Sequence, residues 1–507
     1  MLAKVQSYGL SGLNGFSVTV ETDVSQGMPA YETVGLPDAA VKESRERVRA
    51  AIRHSGFAYP VAHIVVNLAP ADQRKEGTVY DLPIALAILI ASGTVRSLMP
   101  GTLVLGELAL DGTVRPINGV LPMLIDAFDR GYDTFYVPKE NAAEASYIDG
   151  ARVYAVETLA GLVSHLNGKD CMTPCETKRF SSGLLHAKFD FSEIKGQTAA
   201  KRAAEVAVAG AHNILLCGTP GSGKTMLARA IPSILPEMTF PEALEVTKIH
   251  SVTGAMKGTD GLITERPFRA PHHGASASAM IGGGPKALPG EISLAHNGVL
   301  FLDEFPEFAR DVLESLRQPL EDGEVTVSRA MASATYPARF MLVAAMNPCP
   351  CGNRGSRTKP CTCTPTAIRR YANRISGPLL DRIDLHIEMT EVGYREITDR
   401  RPAESSETIR ARVVQARKMQ QKRFENEGIR TNAQMNGELL KKYCAPTGEA
   451  ERMLKDAFSK LQLSARAYQR VLKVARTIAD LDGSETIELR HYAEAIQYRS
   501  MELLKGE

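Results

Sequence analysis

One twelve-residue stretch constrains the fold more than any other part of this sequence. Residues 214–225 read ILLCGTPGSGKT, an apolar run that leads into the pattern G-x-x-x-x-G-K-T and is followed by the helical pattern MLARAIPSIL. Glycines in such a loop let backbone N–H groups turn toward phosphate oxygens, and the N-terminus of the next helix adds positive potential. The stretch therefore predicts a β-strand, a phosphate-binding loop and an α-helix within an α/β domain.

The side chains of this loop predict a site for a nucleotide and magnesium. Lys224 would neutralise the outer phosphates, and Thr225 would offer its hydroxyl to Mg²⁺. A second apolar run, residues 298–304 (GVLFLDE), ends in two acids. There Asp303 would hold magnesium through its water shell, and Glu304 would polarise the attacking water. The predicted nucleotide-contacting residues are Gly218, Thr219, Pro220, Gly221, Ser222, Gly223, Lys224, Thr225 and Asp303.

The chain is longer than a single hydrophobic core usually supports. Its 507 residues and 44% hydrophobic content predict two to four globular domains. Short β-branched runs alternate with helical patterns in residues 1–165, which predicts an α/β domain. Residues 166–190, rich in Lys, Thr and Ser, are interpreted as a linker. Residues 191–395 predict a second α/β unit, and residues 396–507 predict a helical domain.

The overall charge does not indicate a binding partner, whereas the apolar runs bear on where the protein is located. The 60 basic and 58 acidic residues leave a net charge of +2, so an argument for nucleic-acid binding must come from local charge. The N-terminus lacks the apolar core and cleavage site of a secretory signal, and the longest apolar run, 82–91, is about half of a membrane span. We expect a cytoplasmic protein without a membrane partner, in which disulfides are improbable.

Four cysteines form a cluster within the second α/β unit. They are Cys349, Cys351, Cys361 and Cys363, two C-x-C pairs in a stretch rich in Pro and Gly. Turns can bring such pairs around one ion, and four thiolates suit tetrahedral zinc. We predict a zinc site in the insert 349–363, with free reduced thiols and iron–sulfur or redox chemistry as alternatives. Cys171 and Cys175 have no evident partner pair.

The chain resembles one family in several blocks. It is similar to the magnesium-chelatase-like branch of the AAA+ ATPases, and specifically to the YifB/ComM family, in GTPGSGKT, GVLFLDEF, AAMNPCPCG (344–352), RISGPLLDRID (374–384), GLPDAAVKESRERVRAAI (35–52) and RPFRAPHHGASASAMIGGG (266–284). The resemblance covers nearly the whole chain. It implies an ATPase that uses ATP and Mg²⁺ and assembles as a homo-oligomeric ring, commonly a hexamer, with the nucleotide bound between subunits.

The resemblance also implies catalytic roles by position. Asn347 matches sensor 1, which orients the water near the γ-phosphate. Arg382 matches the arginine finger that reaches the neighbouring subunit's site, with Arg374 as the alternative. A finger accelerates phosphoryl transfer by roughly 10³ to 10⁵. Arg466 matches the sensor 2 arginine of the helical lid, with Arg470, one turn later, as the alternative.

The first domain resembles the Lon protease domain but lacks its catalytic dyad. Residues 75–88 and 105–128 are similar to the Lon segments that carry the serine and the lysine. No serine occurs in 57–90 and no lysine in 97–137, so the nucleophile and its base are both missing. Thr78 could be a substitute nucleophile, but the sequence shows no partner residue that would activate it. We expect a binding or ring-organising module.

The resemblance implies a ring motor that moves branched DNA, as ComM-like proteins do in natural transformation. Residues 324–339 are interpreted as a hairpin that enters the pore in related motors, with Arg329 near its tip. Arg269 and Lys286 flank a second loop expected to face the channel. Such cations contact phosphates of single-stranded or branched DNA without reading bases. The lid helix 405–423 adds six basic residues against one acidic residue, on a face that we expect to be free.

Several other interpretations stay open at this point. The hairpin and the basic helix face have an ordinary structural explanation, because exposed basic helix faces are common. The ring could be an AAA+ chaperone that remodels a protein partner, or a chelatase-like ATPase. The adjacent His272 and His273 point in different directions on any regular element, so we interpret them as part of a loop with a structural or pore-facing role.

Overall fold

The protein is described by a computed structural model that covers residues 1–182, 189–256, 261–285, 287–329, 332–398, 403–446, 448–461 and 463–499. Two α/β regions and a set of carboxyl-terminal helices follow one another along the chain. The mixed α/β fold predicted from the sequence is therefore confirmed. The likeness of the first region to the Lon protease domain stays a prediction, as do the domain limits.

The amino-terminal region is built around two small sheets. Its strands are β1 (Leu2–Ser11), β2 (Asn14–Ser25), β3 (Ala30–Val34), β4 (His63–Ala69), β5 (Thr102–Val104), β6 (Glu107–Leu108), β7 (Val114–Arg115), β8 (Thr134–Pro138) and β9 (Arg152–Val156). Its helices are α1 (Ala39–His54), α2 (Asp81–Ala91), α3 (Val120–Asp129), α4 (Ala142–Ala145) and α5 (Leu159–Leu166). One sheet has the order β1-β2-β4-β3 and another the order β5-β8-β9.

Two helices of this region show why the sequence folds as it does. Helix α1 begins after Asp38, whose carboxylate accepts a hydrogen bond from Val41 N at 2.8 Å and so caps the first turn. Helix α2 is buried on all sides, from Asp81 to Ala91. A helix that is apolar all round must lie inside a core, and α2 packs against β1 and β2. The first region therefore has a substantial core of its own.

The second region contains the phosphate loop. Its strands are β10 (Ile214–Gly218), β11 (Phe268–Arg269), β12 (Gly282–Gly283), β13 (Leu288–Pro289), β14 (Val299–Leu302), β15 (Glu324–Arg329), β16 (Ala332–Pro337), β17 (Met341–Met346) and β18 (Leu385–Met389). Its helices are α6 (Thr198–Gly210), α7 (Lys224–Ala230), α8 (Phe240–Thr253), α9 (Ala277–Ile281), α10 (Glu291–Leu294), α11 (Arg310–Ser315), α12 (Arg317–Asp322), α13 (Pro365–Ala372), α14 (Gly377–Leu380) and α15 (Tyr394–Ile397).

A parallel five-stranded sheet organises this region. Its order is β11-β14-β17-β10-β18, with parallel pairing throughout. Strands β10, β14 and β17 are buried along their whole length, as expected for parallel strands covered on both faces. Loops that leave the carboxyl ends of adjacent parallel strands meet at one edge of the sheet, which is where such folds bind ligands.

The carboxyl-terminal helices are α16 (Ser406–Arg423), α17 (Gly437–Tyr443), α18 (Glu449–Lys460), α19 (Ala465–Leu481) and α20 (Leu489–Gln497). Ile409, Val413 and Ala416 form the buried stripe of α16, as its spacing predicts.

The basic face of α16 is less free than its sequence suggests. Arg412 pairs with Glu205, Arg423 pairs with Asp480, and Arg417 donates to the Val208 carbonyl at 2.8 Å. The expectation of a free charged face is wrong for these three side chains, because acids and a carbonyl on other elements use them. Lys418 and Lys422 are exposed.

The amino-terminal region and the ATPase region share packing. Met238, Ala243 and Val246 belong to the same buried cluster as the amino-terminal core. At the same junction the Ser251 hydroxyl donates to Glu144 Oε2 at 2.9 Å. Helix α8 therefore joins the two regions directly. No helix within the described ranges is both long enough and apolar enough to cross a membrane.

Candidate functional site

The phosphate loop lies between strand β10 and helix α7. Gly221 and Gly223 have φ angles of 82° and 91°, in the left-handed region that glycine adopts without strain. Gly218, at the end of β10, is crowded, since a Cβ there would lie 2.4 Å from the Met389 carbonyl oxygen. The glycines of the sequence pattern are therefore required by the path of the backbone.

Lys224 lies at the centre of the loop. Its Nζ donates to the carbonyls of Gly218 at 2.6 Å and Thr219 at 2.9 Å, and to Asn347 Oδ1 at 3.2 Å. The side chain is buried, and burial lowers the pKa of its amine. The predicted lysine and the predicted sensor 1 asparagine are thus in contact, although they are far apart in the sequence.

The predicted magnesium ligands also meet. The Thr225 hydroxyl donates to Asp303 Oδ2 at 2.9 Å, and Glu304 N donates to Asp303 Oδ1 at 2.9 Å. Glu304 follows in a left-handed conformation, with a φ of 52°. Asp303 follows β14 and Asn347 follows β17, so neighbouring strands deliver both to the phosphate loop.

The donor set fits a magnesium nucleotide. A threonine hydroxyl beside a carboxylate supplies the oxygen ligands that Mg²⁺ prefers, together with substrate phosphates. Within the described part of the chain, the buried hydroxyls of Thr219 and Ser222 have no hydrogen-bond partner. Both belong to the phosphate loop, where a bound phosphate would meet them. The site can therefore bind a nucleotide and hold an acid, Glu304, beside it.

The predicted arginine finger lies away from this phosphate loop. The guanidinium of Arg382 donates to the Pro378 carbonyl at 2.8 Å and pairs with Glu321. The Arg382 carbonyl accepts from Asn213 Nδ2, and Asn213 precedes β10. Arg382 therefore lies at the amino-terminal edge of the sheet, opposite the edge that carries Lys224.

The predicted sensor 2 residue lies on that same edge. Arg466 Nη2 is 3.5 Å from Glu321 Oε1, so Arg382 and Arg466 share one acid. Ser464, just before Arg466, donates to Asp381 at 3.2 Å. Neither arginine lies beside the phosphate loop of its own chain.

The two alternative arginines have different surroundings. Arg470 donates to Asp384 at 2.9 Å, and although burial alone would raise the pKa of that carboxyl, Arg470 and His212 hold it well below its ordinary value. Arg374 Nη1 is 2.5 Å from Glu307 Oε2, and Glu307 comes three residues after Glu304. Arg374 is thus on the side of the sheet that carries the chain's own acids.

Two residues near the site were not predicted. His273 Nδ1 lies 3.0 Å from Glu304 Oε2, which places this histidine beside the acid that follows Asp303. Gln197 Nε2 donates to the carbonyls of Ser222 at 3.0 Å and Thr390 at 2.6 Å, which ties the phosphate loop to the segment after β18. The adjacent histidines in RAPHHG were a sequence signal for His273, whereas a single glutamine before an Ala-rich helix gives no local signal for Gln197.

The four cysteines of the insert lie together. All four sulfur atoms are within 4.8 Å of one another. The Sγ–Sγ distances are 3.4 Å for Cys349 and Cys351, 3.6 Å for Cys349 and Cys361, and 3.7 Å for Cys351 and Cys361. A tetrahedral zinc with Zn–S bonds of about 2.3 Å needs sulfur separations of about 3.8 Å. The insert is therefore a candidate metal site with four thiol ligands.

Backbone amides support these sulfur atoms. Arg354 N donates to Cys349 Sγ at 3.4 Å, although burial raises the pKa of that thiol to about 12. Backbone N–H groups of Asn353 and Thr362 lower the pKa of the Cys351 thiol to about 6. Amide donors aimed at sulfur favour the thiolate form, which is the form that binds a metal.

The cysteine insert rests on the phosphate loop. Gly352 has a φ of 79°, and a Cβ on it would lie 2.8 Å from Pro220 Cγ and 2.9 Å from Pro220 Cδ. Cys349 follows Asn347 by two residues, and Asn347 accepts the hydrogen bond from Lys224. The insert therefore contacts the nucleotide site at two points.

The predicted DNA-contacting residues have varied outcomes. Lys286 lies outside the described residues. Arg329 lies in β15, paired with Ala332 of β16, so the predicted hairpin exists. Arg269 makes a two-bond ion pair with Glu291, with both distances at 2.6 Å. A cation so engaged is less available to a phosphate than its sequence suggests, and the DNA contact of Arg329 stays a prediction.

The amino-terminal region was compared above with the Lon protease domain, a likeness that stays a prediction. The Thr78 hydroxyl donates to the carboxylate of Glu107, so the expectation that Thr78 has no partner is wrong. Lys75 is buried with Nζ donating to the Gln73 carbonyl at 2.8 Å.

Comparison with known proteins covers the whole chain. The family models match residues 20–141 (subunit ChlI of Mg-chelatase), 190–397 (magnesium chelatase, subunit ChlI) and 403–499 (magnesium chelatase, subunit ChlI C-terminal). The chain is 45% identical to the uncharacterized protein YifB of Escherichia coli (strain K12), covering 99% of this chain and 98% of YifB.

It is also 44% identical to the competence protein ComM of Haemophilus influenzae, covering 99% of this chain and 98% of ComM. Similarity to the magnesium-chelatase 38 kDa subunit of Rhodobacter capsulatus is more limited, at 30% identity over 32% of this chain and 50% of that subunit.

Proposed function

Since the chain belongs to the magnesium-chelatase-like AAA+ family that contains YifB and ComM, we propose that it is an ATP-hydrolysing ring motor acting on DNA, specifically a branch-migration helicase in recombination or natural transformation. The observation that carries the DNA assignment is the 44% identity to the competence protein ComM over 99% of this chain. The observation that carries the ATPase assignment is the meeting of Lys224, Thr225, Asp303 and Asn347 around one loop.

Each group at the phosphate loop has a proposed role in hydrolysis. Lys224 neutralises the outer phosphates, while Thr225 and Asp303 would hold Mg²⁺, which supplies charge neutralisation when bound. Glu304 accepts a proton from the attacking water, and Asn347 orients that water with its side-chain amide. This division of roles predicts that Glu304→Gln binds ATP without hydrolysing it, whereas Lys224→Ala does not bind it.

The arginines on the opposite edge suit a trans arrangement. Arg382 and Arg466 share Glu321 at the edge of the sheet that a neighbouring subunit's nucleotide would approach in a ring. A guanidinium offers a planar set of donors that matches phosphate oxygens. We therefore assign the stabilisation of transition-state charge to Arg382 of the adjacent copy, with Arg466 beside it. The ring would be a homo-oligomer, and the family leads us to expect a hexamer.

The hairpin β15–β16 is the proposed DNA-contacting element. Its Arg329 lies next to the turn, and the turn between β1 and β2 lies against the hairpin, since a Cβ on Gly12 would be 2.9 Å from Ala334 Cβ. A backbone-tracking motor needs cations that contact phosphates regardless of sequence. The hairpin supplies one such cation from each subunit of a ring.

We also propose that the cysteine insert binds zinc. Four sulfur atoms at near-tetrahedral separations, with amide donors on two of them, favour Zn²⁺ over free thiols. Bound zinc would close an insert that has little apolar surface to bury. Cys349, Cys351, Cys361 and Cys363 would be its ligands.

The decisive experiment measures ATPase rate with single-stranded, duplex and branched DNA, and in parallel with an unfolded protein. The proposal predicts stimulation by DNA, strongest for branched substrates, together with strand exchange that Glu304→Gln cannot support. Stimulation by the unfolded protein alone would indicate a chaperone. A rate that responds to neither would point to a chelatase-like ATPase and end the motor assignment.

A further inference from the structure

A surface groove rich in arginine lies near the nucleotide site. It is formed by the turn after β14, the start of α11, and helix α13 with the two residues that follow it. Its lining holds four arginines, Arg310, Arg369, Arg370 and Arg374, and one acid, Glu307. The lining therefore has a formal charge of +3, whereas the whole chain has a net charge of only +2. We call this feature the arginine groove.

Most of this positive charge is available to a ligand. Arg374 pairs with Glu307, whereas the other three arginines are exposed and form no ion pair within the ranges that the structure describes. Asp311, next to Arg310, lies outside the lining, and its carboxylate accepts from Val312 N at 2.9 Å. The lining thus has no second acid that would neutralise the three exposed guanidinium groups.

Helix α13 presents a regular polar face to the groove. Thr366, Arg369, Arg370 and its C-cap Asn373 all line the groove, and their spacing of i, i+3, i+4 and i+7 puts them on one side of the helix. Arginine, threonine and asparagine are side chains that contact phosphate oxygens in protein–DNA interfaces. A guanidinium group can also bind two oxygens of one phosphate. The face therefore offers a row of donors to phosphate groups.

Helix α13 is held in place by the rest of the fold. Thr364, directly after Cys363, accepts a hydrogen bond from Ala367 N at 3.2 Å and so caps the first turn. Tyr371, on the side of the helix away from the groove, is buried. The ion pair of Arg374 fixes the segment after the helix. Donors on a fixed element lose less conformational freedom when a ligand binds, which favours binding.

The lining also indicates which kind of ligand the groove suits. Small molecules bind in pockets that enclose most of their surface, whereas this groove is open and its three unpaired arginines are exposed. Protein partners are held chiefly by aromatic and apolar anchors. The apolar residues of the lining, Pro306 and Phe308, are already buried and offer no such anchor. A polyanion with repeated phosphates fits better, because it can contact several arginines at once.

Two short helices connect the arginine groove to the proposed DNA-contacting hairpin. Helix α11 begins in the groove, α12 follows it, and α12 packs against β15 of the hairpin. Residues 310–324 therefore span at most about 21 Å, at about 1.5 Å per helical residue. One DNA strand covers this distance in about six nucleotides, at about 3.4 Å each. A single strand can thus contact the base of the hairpin and the groove together.

We propose that the arginine groove is a second DNA-contacting surface, which binds the sugar-phosphate backbone of a strand that leaves the hairpin. The inference rests on the proposed DNA motor, because it names where that motor holds its substrate beyond the hairpin. Arg369 and Arg370 contact phosphates from α13, and Arg310 contacts them from the opposite wall. Since phosphates carry no sequence information, the groove holds any strand regardless of its bases.

The test measures binding of fluorescent single-stranded DNA to the full-length protein from about 50 to about 200 mM salt. The double variant Arg369→Ala, Arg370→Ala removes two phosphate contacts per chain. Each contact contributes about 0.7 to the slope of log K against log salt, so the slope should fall by at least about 1.4. The fall should be the same for strands of different base sequence. The basal ATPase rate and the melting temperature should stay at the wild-type values, because both side chains are exposed.

Three further variants separate the groove from a general loss of charge. Arg369→Lys, Arg370→Lys keeps the charge and should keep most of the slope. Arg310→Ala, on the opposite wall, should lower the slope by about 0.7 per chain. Arg452→Ala, Lys455→Ala is the matched control, because it removes two exposed cations from α18. This control should leave the slope at the wild-type value.

Three results would overturn the inference. They are a wild-type salt slope in Arg369→Ala, Arg370→Ala, an equal fall of the slope in the α18 control, and loss of the oligomer that the wild-type protein forms with ATP. The last result would place the groove against a neighbouring copy instead of DNA. Any of these in a protein that binds DNA leaves the motor proposal standing. If the wild-type protein binds no DNA at any salt, the motor proposal fails and the groove assignment fails with it.

Discussion

Gly352→Ala tests whether the cysteine insert sets the geometry of the phosphate loop. The new Cβ would lie 2.8 Å from Pro220 Cγ, about 0.7 Å inside a normal carbon–carbon contact of about 3.5 Å. Overpacking of this kind costs typically about 1–3 kcal/mol. Pro220 is exposed, so the clash is most easily relieved by moving the phosphate loop. If about 1–2 kcal/mol of this cost falls on ATP binding, the affinity for ATP should drop about 5- to 30-fold.

Gly355→Ala is the matched control, because it isolates the contact from backbone strain. Gly355 lies on the same insert with a φ of 81°, close to the 79° of Gly352, but the nearest atom to its Cβ would be Glu388 Oε1 at 4.0 Å. Both variants carry the left-handed alanine penalty of roughly 1–2 kcal/mol. Only Gly352→Ala adds the clash with Pro220.

The assay is equilibrium binding of a fluorescent ATP analogue, with thermal unfolding and bound metal measured on the same samples. We expect similar melting temperatures and metal contents for the two variants and weaker ATP binding for Gly352→Ala alone. Equal dissociation constants for the two variants would refute the reasoning, since the insert would then not constrain the loop.

Three further predictions follow from the proposed roles. Purified protein should carry about one zinc per chain, and chelation should lower its melting temperature; less than about half an equivalent of metal with unchanged stability would contradict the zinc site. Mixing inactive Lys224→Ala and Arg382→Ala proteins should restore some ATPase activity, because mixed rings contain intact interfaces, and no recovery would count against a trans finger. Arg329→Ala should keep basal hydrolysis but weaken DNA stimulation and the salt-dependent part of DNA binding; branch migration at the wild-type rate would exclude the hairpin.

The nucleotide site could be predicted from sequence because its signals are local. The strand, the glycines and Lys224 are consecutive, and their spacing is dictated by how a backbone surrounds phosphate. Asp303 and Asn347 each end an apolar run, so parallel strands were enough to bring them to one edge. The four cysteines were grouped correctly because both C-x-C pairs lie within one short insert, residues 349–363.

The contacts that were missed join residues far apart in the sequence. The sequence argument about His272 and His273 assumed a regular element, on which adjacent side chains point in different directions. The two residues lie in a loop instead, where their rings can stack and His273 can reach Glu304. The contact of Gly352 with Pro220 depends on how the insert folds back, which no periodicity encodes. The same limit applies to helix α16. The spacing of its apolar residues predicted the buried stripe, but not the acids that pair with its arginines.

The separation of the catalytic groups argues that one chain cannot complete its own site. Lys224 contacts the Gly218 carbonyl at one end of β10, whereas Arg382 contacts Asn213 just before the other end. A strand of that length spans about 13 Å. The Arg382 side chain is also held at its own edge by Pro378 and Glu321. If Arg382 is the finger, as proposed, it can meet a γ-phosphate only when a second copy presents its phosphate loop to this edge, so the proposed mechanism requires assembly.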